Sequence, residues 1–428
     1  MIQKKKPRRG QFLPGMPRTE KKQPESLPEE LEKDGWVIAD DPKAEKEKNE
    51  DRCPYSKKCG GCQLQNLTYE RQLKHKQAVA VRHVGKYCRV ANIIGMEHPY
   101  HYRNKVQAAF GTARNGQIIS GVYQSSTHRI VPVQNCMTED KIASGIIADI
   151  RKMMPQFRMT AYNENTHKGF LRHVLVKRGF ATGEVMVVLV AGTPVMPGKT
   201  DFVRALLEKH PEITTIVLNI NNAFTSMVLG EKETVLHGPG YIEDVLCGKR
   251  FRISARSFYQ INPLQTEILY TRALEMAELT GKESVIDAYC GIGTIGIIAA
   301  DKAREVIGVE VNADAVRDAK VNAKANNVQN IKFFNADAGE FMRDMAANNI
   351  SVDVVLMDPP RAGSDIPFLS SVCTLKPEKI VYISCNPETQ GRDLNYLCKH
   401  GYKAVKAQPV DMFPHTNHVE NIVMLSRK

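Results

Sequence analysis

ESVIDAYCGIGTIG, residues 283–296, is a β-branched run that breaks abruptly into a glycine-rich turn. The same grammar repeats downstream: EVIGVEVN (305–312), KFFNADA (332–338), VDVVLMDPP (352–360) and KIVYISCNP (379–387) are apolar runs that end in polar or turn residues. Helical stretches lie between most of them, notably 311–326. Strands alternating with helices from about residue 251 predict an α/β fold, a doubly wound, Rossmann-like and mainly parallel sheet. Ligands of such sheets bind at the carboxyl ends of the strands, where the chemically distinctive residues fall.

The first strand delivers Asp287-Ala288-Tyr289-Cys290-Gly291-Ile292-Gly293. Glycine allows a tight turn and a close approach to a ligand. The register 291, 293, 296 fits G-x-G-x-x-G, a pattern that by itself also admits a dinucleotide. The second strand ends in Glu310, a carboxylate placed to accept ribose hydroxyls of an adenosyl ligand. Asp337, after the third strand, could reach an adenine ring or be an ordinary solvated turn residue. Pro359-Pro360 must stop the fourth strand, leaving Asp358 in a rigid, exposed turn beside Arg361. The fifth strand ends in Ser384-Cys385, followed by a helix-breaking Asn386-Pro387. A thiol exposed at that edge can ionise and attack, whereas a cysteine inside an apolar strand would be core filling.

Upstream the text changes. KVQAAFG (105–111), HRIVPV (128–133), HVLVKRG (173–179), EVMVVLVAG (184–192) and TTIVLNIN (214–221) read as strands, giving an α/β region with substantial sheet over 93–250. Residues 68–88 read as a helix capped by Thr68, with Leu73, Val79 and Val84 on one face. Residues 1–50 are rich in Lys, Glu and Pro and read as a disordered tail, with a short strand at Trp36-Val37-Ile38 as its one ordered option. Cys53, Cys59 and Cys62 follow C-x5-C-x2-C, and Cys136 lies far downstream; four thiolates suit Zn²⁺ or an iron–sulfur cluster, and spacing does not choose. The spacing is not C-x3-C-x2-C, so radical chemistry is not indicated. Ten cysteines in a chain with neither a secretory signal nor a membrane-length apolar run imply a cytoplasmic protein without disulfides. Lys and Arg number 59 against 47 acidic residues, and the net charge of +12 favours a polyanion partner. No obligate protein partner is evident.

DPPR (358–361), SCNP (384–387), Ser257-Phe258-Tyr259-Gln260-Ile261-Asn262 and His418-Val419-Glu420 together closely resemble the RNA uridine-5 methyltransferase family, which makes 5-methyluridine in rRNA and tRNA. The likeness runs from about Cys53 to the C-terminus. It implies an S-adenosylmethionine-dependent methyltransferase of class EC 2.1.1 acting on RNA, 23S rRNA first and tRNA second. Residues 251–428 would be the catalytic domain, 93–250 an RNA-binding α/β domain and 51–92 a cluster region. Carried onto this chain, Cys385 is the nucleophile, Glu420 the base, and Gln260, Tyr289, Glu310 and Asp358 contact the methyl donor. Family members with C-x5-C-G-G-C plus a distant cysteine hold a 4Fe-4S cluster, which implies Cys53, Cys59, Cys62 and Cys136 as ligands.

The chemistry explains the residue types. Carbon 5 of uracil is a poor nucleophile; a thiolate added at carbon 6 creates an enolate that can take a methyl group, and a base must then remove the C5 proton. A site that favours the thiolate is therefore expected, with Arg361 as a source of positive field or as the partner of a structural carboxylate. Many relatives carry an N-terminal RNA-binding β-barrel, and the residues before Cys53 do not read as one. His101, Tyr102, Arg103, Asn104 and Lys105, where bases and aromatics interleave, become candidate RNA contacts. The competing readings are a methyltransferase of another substrate and a non-catalytic iron–sulfur RNA-binding protein.

Overall fold

A computed structural model describes residues 53–124, 127–225 and 227–428. Residues 1–50, read above as a disordered tail, and the strand expected at Trp36–Ile38 lie outside these residues. Helix α1 (Ser56–Cys59) and helix α2 (Tyr69–Val84) come first. Thr68 stands at the N-cap of α2 but makes no side-chain capping bond. The stripe that α2 buries is Gln72, Lys76, Ala80 and Val84, spaced by four, so half of it is polar.

Two sheets follow. The seven-stranded sheet has the order β4-β3-β2-β5-β6-β7-β8. Its strands are β2 (Lys105–Thr112), β3 (Ile118–Tyr123), β4 (Ile130–Pro132), β5 (Leu171–Arg178), β6 (Val185–Ala191), β7 (Ile213–Ile220) and β8 (Lys232–His237). Strand β6, VMVVLVA, is buried at all seven positions, as a central strand covered on both faces must be. Helices α3 (Lys141–Met153) and α4 (Lys199–Lys209) contribute Ile146, Ile150, Phe202 and Leu206 to the core on one face. On the other, Val188, Val190 and Val217 share a core with the hairpin β9 (Tyr241–Leu246) and β10 (Lys249–Ser254).

The hairpin leads to α5 (Pro263–Ala277) and the eight-stranded sheet, ordered β1-β16-β17-β15-β14-β11-β12-β13. Strands β11 (Ser284–Ala288), β12 (Glu305–Glu310), β13 (Ile331–Asn335), β14 (Val354–Met357) and β15 (Lys379–Ser384) are parallel, as the alternating text predicts. Helices α6 (Thr294–Ala299), α7 (Ala313–Ala325), α8 (Ala338–Ala347), α9 (Ile366–Leu375) and α10 (Pro387–Lys399) connect and cover them. The strand order reverses between β11 and β14, which opens a crevice at their carboxyl ends. Beyond β15 the sheet turns antiparallel. Strand β17 (Glu420–Arg427) inserts between β15 and β16 (Tyr402–Val410), and the two-residue β1 (Arg89–Val90) closes the edge. Among the described residues no helix is long and apolar enough to cross a membrane.

Candidate active site

Topology gathers the residues. Tyr289, Glu310, Asp358 and Cys385 stand at or just past the carboxyl ends of β11, β12, β14 and β15. Because β17 runs antiparallel, its first residue, Glu420, comes to the same edge. Ser384 pairs with Asn421, so Cys385 and Glu420 leave adjacent strand ends together. The helix after Cys385 corrects one expectation. Asn386-Pro387 does not break a helix but starts α10: the Asn386 side chain accepts from the Glu388 N–H at 3.1 Å, and proline suits the first helical position.

The glycine turn forms one wall. Tyr289 has a left-handed φ of 65°, strained for a side chain of that size, and its ring leans on Phe368 at 4.9 Å. At Gly291, φ 54°, no other part of the protein comes within 4 Å of where a Cβ would stand, whereas at Gly293 a Cβ would meet the Phe333 ring. Glu310 accepts from the Gly291 N–H at 3.1 Å and from the Asn312 N–H at 2.8 Å, which fixes its carboxylate at the mouth of the turn. Asp287, in the same motif, carries no role that the sequence alone suggests. It is buried and accepts from the Gly296 N–H at 2.8 Å, bracing the turn from beneath. Burial pushes its carboxyl up to about 7; the Gly296 bond opposes this, and Asp358 and Glu310 add to it. Asp337 is exposed, and its side chain caps α8 through the Glu340 N–H at 2.9 Å.

The segment 254–262 forms the opposite wall and is held by the seven-stranded sheet. The buried Lys177 donates from Nζ to the Ser254 and Ser257 carbonyls, both at 2.8 Å. Asn104 donates from its side chain to the Gln260 carbonyl at 3.1 Å and from its backbone to Ile261 at 3.0 Å. Gln260 bears on the wholly buried Tyr270, whose hydroxyl is pushed up by burial and then by Asp358, with Thr294 and Gln260 opposing. Tyr270 therefore joins the Gln260 side of the site to the Asp358 side.

The reacting groups share one electrostatic neighbourhood. Burial lifts the Asp358 carboxyl to about 7, so it is not the exposed turn residue expected from Pro-Pro. Glu420 is 4% exposed, and burial followed by Asp358 drives its carboxyl well above the usual range. Cys385 is half-buried. Burial pushes its thiol up to about 11, Glu420 and Asp358 add to the rise, and Arg361 alone among the charged groups opposes it. The expectation of a thiolate-favouring site is not met in the free protein: burial is the largest contribution, and two carboxyls add to it against one guanidinium. His418, beside the base, is lowered by burial and then by Arg361, Lys76 and Arg103.

The proposed RNA-contact stretch divides. Tyr102 is 1% exposed, its hydroxyl donating to the Pro414 carbonyl, and Asn104 is buried; neither can stack on a base. Lys105 is exposed. Arg103 is largely buried, with its Nε lacking a partner. It lies near the cysteines. Burial drives the Cys62 thiol up to about 12, Arg103 pulls it down, and Cys136, Cys59 and Cys53 each push it up. The four thiols therefore act on one locality, all of them free. Among the described residues, no three or more His, Cys, Asp or Glu side chains are grouped so as to hold a metal ion.

A family model described as tRNA (Uracil-5-)-methyltransferase matches residues 230–428. An RNA methyltransferase of Caldanaerobacter subterraneus is 43% identical over 379 residues, 88% of this chain and 84% of that one. A Bacillus cereus RNA methyltransferase is 42% identical over 380 residues, 88% and 82% of the two chains. Among solved structures, the tRNA (uracil-54, C5)-methyltransferase of Pyrococcus abyssi in complex with S-adenosyl-L-homocysteine is 29% identical, with a TM-score of 0.71 over 85% of each chain.

Proposed function

Given that the chain belongs to the tRNA (uracil-5-)-methyltransferase family, we propose that it methylates carbon 5 of a uridine in RNA through a covalent bond between Cys385 and carbon 6. The observation that carries this reading is the meeting of Cys385, Glu420 and Asp358 at one sheet edge, where both carboxyls act on the thiol and Asp358 acts on Glu420. A methyltransferase needing only a donor site would have no use for a thiol facing a buried carboxyl. The Pyrococcus relative, crystallised with S-adenosyl-L-homocysteine, supports a donor site along Gln260, Tyr289, Glu310 and Asp358. S-adenosylmethionine supplies the electrophilic methyl group when bound.

The chain's own residues handle the protons and the thiol. Cys385 attacks carbon 6 as the thiolate, its proton having passed to solvent; burial, followed by Asp358, raises the proton affinity of the Glu420 carboxylate, which suits it to the later step. After methyl transfer, Glu420 as carboxylate takes the C5 proton, carbon 5 and carbon 6 regain their double bond, and the Cys385 thiolate leaves. Arg361 favours the thiolate at both ends of this sequence. rRNA, read first from the sequence, and tRNA are both candidate substrates; the likeness to a tRNA (uracil-54, C5)-methyltransferase supports tRNA.

We also propose that Cys53, Cys59, Cys62 and Cys136 hold a 4Fe-4S cluster. An all-thiol donor set suits it, and a multi-iron cluster spaces its ligands more widely than a single ion does. The buried, unpartnered Nε of Arg103 is a donor such an anionic group could use. The cluster would fix the fold rather than carry electrons, since methyl transfer consumes none. Iron and sulfide analysis of anaerobically purified protein tests it; stoichiometric zinc without iron overturns it.

The experiment for the reaction is a denaturing gel. RNA containing 5-fluorouridine should trap the wild-type enzyme, because fluorine cannot leave as a proton does. Cys385→Ala should form no adduct and no product, whereas Glu420→Gln should accumulate a methylated adduct. Product formation by Cys385→Ala would sink the covalent reading, and nucleoside mass spectrometry of rRNA and tRNA from a deletion strain decides the substrate.

A further inference from the structure

We infer that Lys76 and Gln72, on the buried stripe of α2, are positioning residues for Glu420; the inference rests on the base role proposed above. Nothing in the chemistry requires α2 near the site, yet Tyr69, Gln72 and Lys76 all bond to one segment, Asp411–His415, which leads towards Glu420. Lys76 and Asp411 are both wholly buried, and Lys76 Nζ donates to Asp411 Oδ1 at 2.5 Å and to the Phe413 carbonyl at 2.9 Å. Tyr69 donates its hydroxyl hydrogen to Asp411 Oδ2 at 2.9 Å. Gln72 Oε1 accepts from the His415 N–H at 2.8 Å, and its Nε2 lies 3.1 Å from His415 Nδ1. The Leu64 N–H donates to the His415 carbonyl at 2.9 Å.

A purely structural clamp would not need a buried ammonium. Taking a charge pair out of water is costly, and apolar residues of the same volume serve stability at least as well. What a charged, hydrogen-bonded pair provides is direction. His415 sits at φ 70°, a conformation this residue type holds only when its surroundings impose it. Gln72 holds that residue itself, and Lys76 holds the carbonyl two residues before it. The segment can then enter β17 in only one way, and Glu420 faces Cys385 from a fixed backbone. Misplacement of a reacting group by about 1 Å can cost roughly a hundredfold in rate.

The test separates positioning from folding. Lys76→Met and, as a milder change, Gln72→Met are compared with Lys76→Arg on RNA carrying hydrogen or deuterium at uridine C5. Loss of position should slow proton removal by roughly tenfold or more, so the methylated adduct accumulates on a denaturing gel and the deuterium isotope effect rises. Affinity for S-adenosylmethionine by calorimetry should stay unchanged, and Lys76→Arg should recover part of the rate. A structural role alone would lower the fraction of enzyme trapped by 5-fluorouridine RNA while the trapped fraction keeps the wild-type isotope effect. That result in both Met variants overturns the inference. Failure of the wild-type enzyme to form any adduct would instead count against the covalent reading.

Discussion

At the scale of single residues, the site is governed by carboxyls whose charge is disfavoured. Asp287 is the clearest case, since burial raises it to about 7 from an ordinary value of about 3.9. The folded protein therefore binds this proton more tightly than the unfolded chain does. The stabilisation is complete below about pH 4 and is lost as pH rises towards 7. Asp287→Asn keeps an acceptor for the Gly296 N–H and removes the titration. Its melting temperature should exceed that of the wild type at pH 8 by more than at pH 5, and an equal difference at both would remove Asp287 as the source. The same logic applies to the thiol. Glu420 is the leading charged contributor to the rise at Cys385, so Glu420→Gln should make alkylation of Cys385 by iodoacetamide several-fold faster at pH 8. An unchanged rate would mean that burial alone sets the thiol. The motifs that carry Cys385 and Glu420 are local in the sequence, and the structure brings the two residues to one sheet edge. Their protonation was not legible in the sequence, because it depends on neighbours that only folding supplies.

At the scale of elements, local pattern was read well and pairing was not. The five parallel strands were visible as apolar runs with turn residues at their ends, and Pro359-Pro360 stops β14 after Met357 as required. The antiparallel insertion of β17 was invisible, since strand order is a long-range property with no local signature. So was the buried stripe of α2, because Lys76 reads as a surface residue until Asp411 is opposite it. The Asn386-Pro387 pair was misread for a related reason: proline disrupts a helix interior but belongs at its first turn. This gives the pair a measurable role. Asn386 caps α10 immediately after Cys385, and its Nδ2 points to the Arg361 carbonyl at 3.4 Å. Asn386→Ala should cost about 1 kcal/mol of stability and lower the methylation rate without weakening donor binding. Wild-type rate at full donor affinity would make the cap purely structural.

At the scale of the whole molecule, the net charge is shared unequally between the N-terminal segment and the rest. The segment 1–44 is close to balanced in charge. It carries 10 basic and 8 acidic residues, so nearly all of the net +12 belongs to the remainder. The cluster Lys4, Lys5, Lys6, Arg8 and Arg9 looks like an RNA-binding arm only until the acids that follow are counted. Polyanion affinity should then come from the folded part, with Lys105 and Arg361 exposed near the crevice and Phe258, 66% exposed, beside Gln260. Binding through phosphates releases counterions, so affinity falls steeply with salt, by a factor set by the number of phosphates neutralised. Donor binding, proposed to rest on Gln260, Tyr289, Glu310 and Asp358, should be almost indifferent. RNA affinity measured by anisotropy across a salt series should therefore decline linearly on logarithmic axes, while calorimetry of S-adenosylmethionine stays flat. Removing residues 1–44 should leave both the RNA affinity and the slope nearly unchanged. A truncation that abolishes most of the slope would move the polyanion contact into the tail and leave the folded part to recognise RNA by shape and base contacts alone.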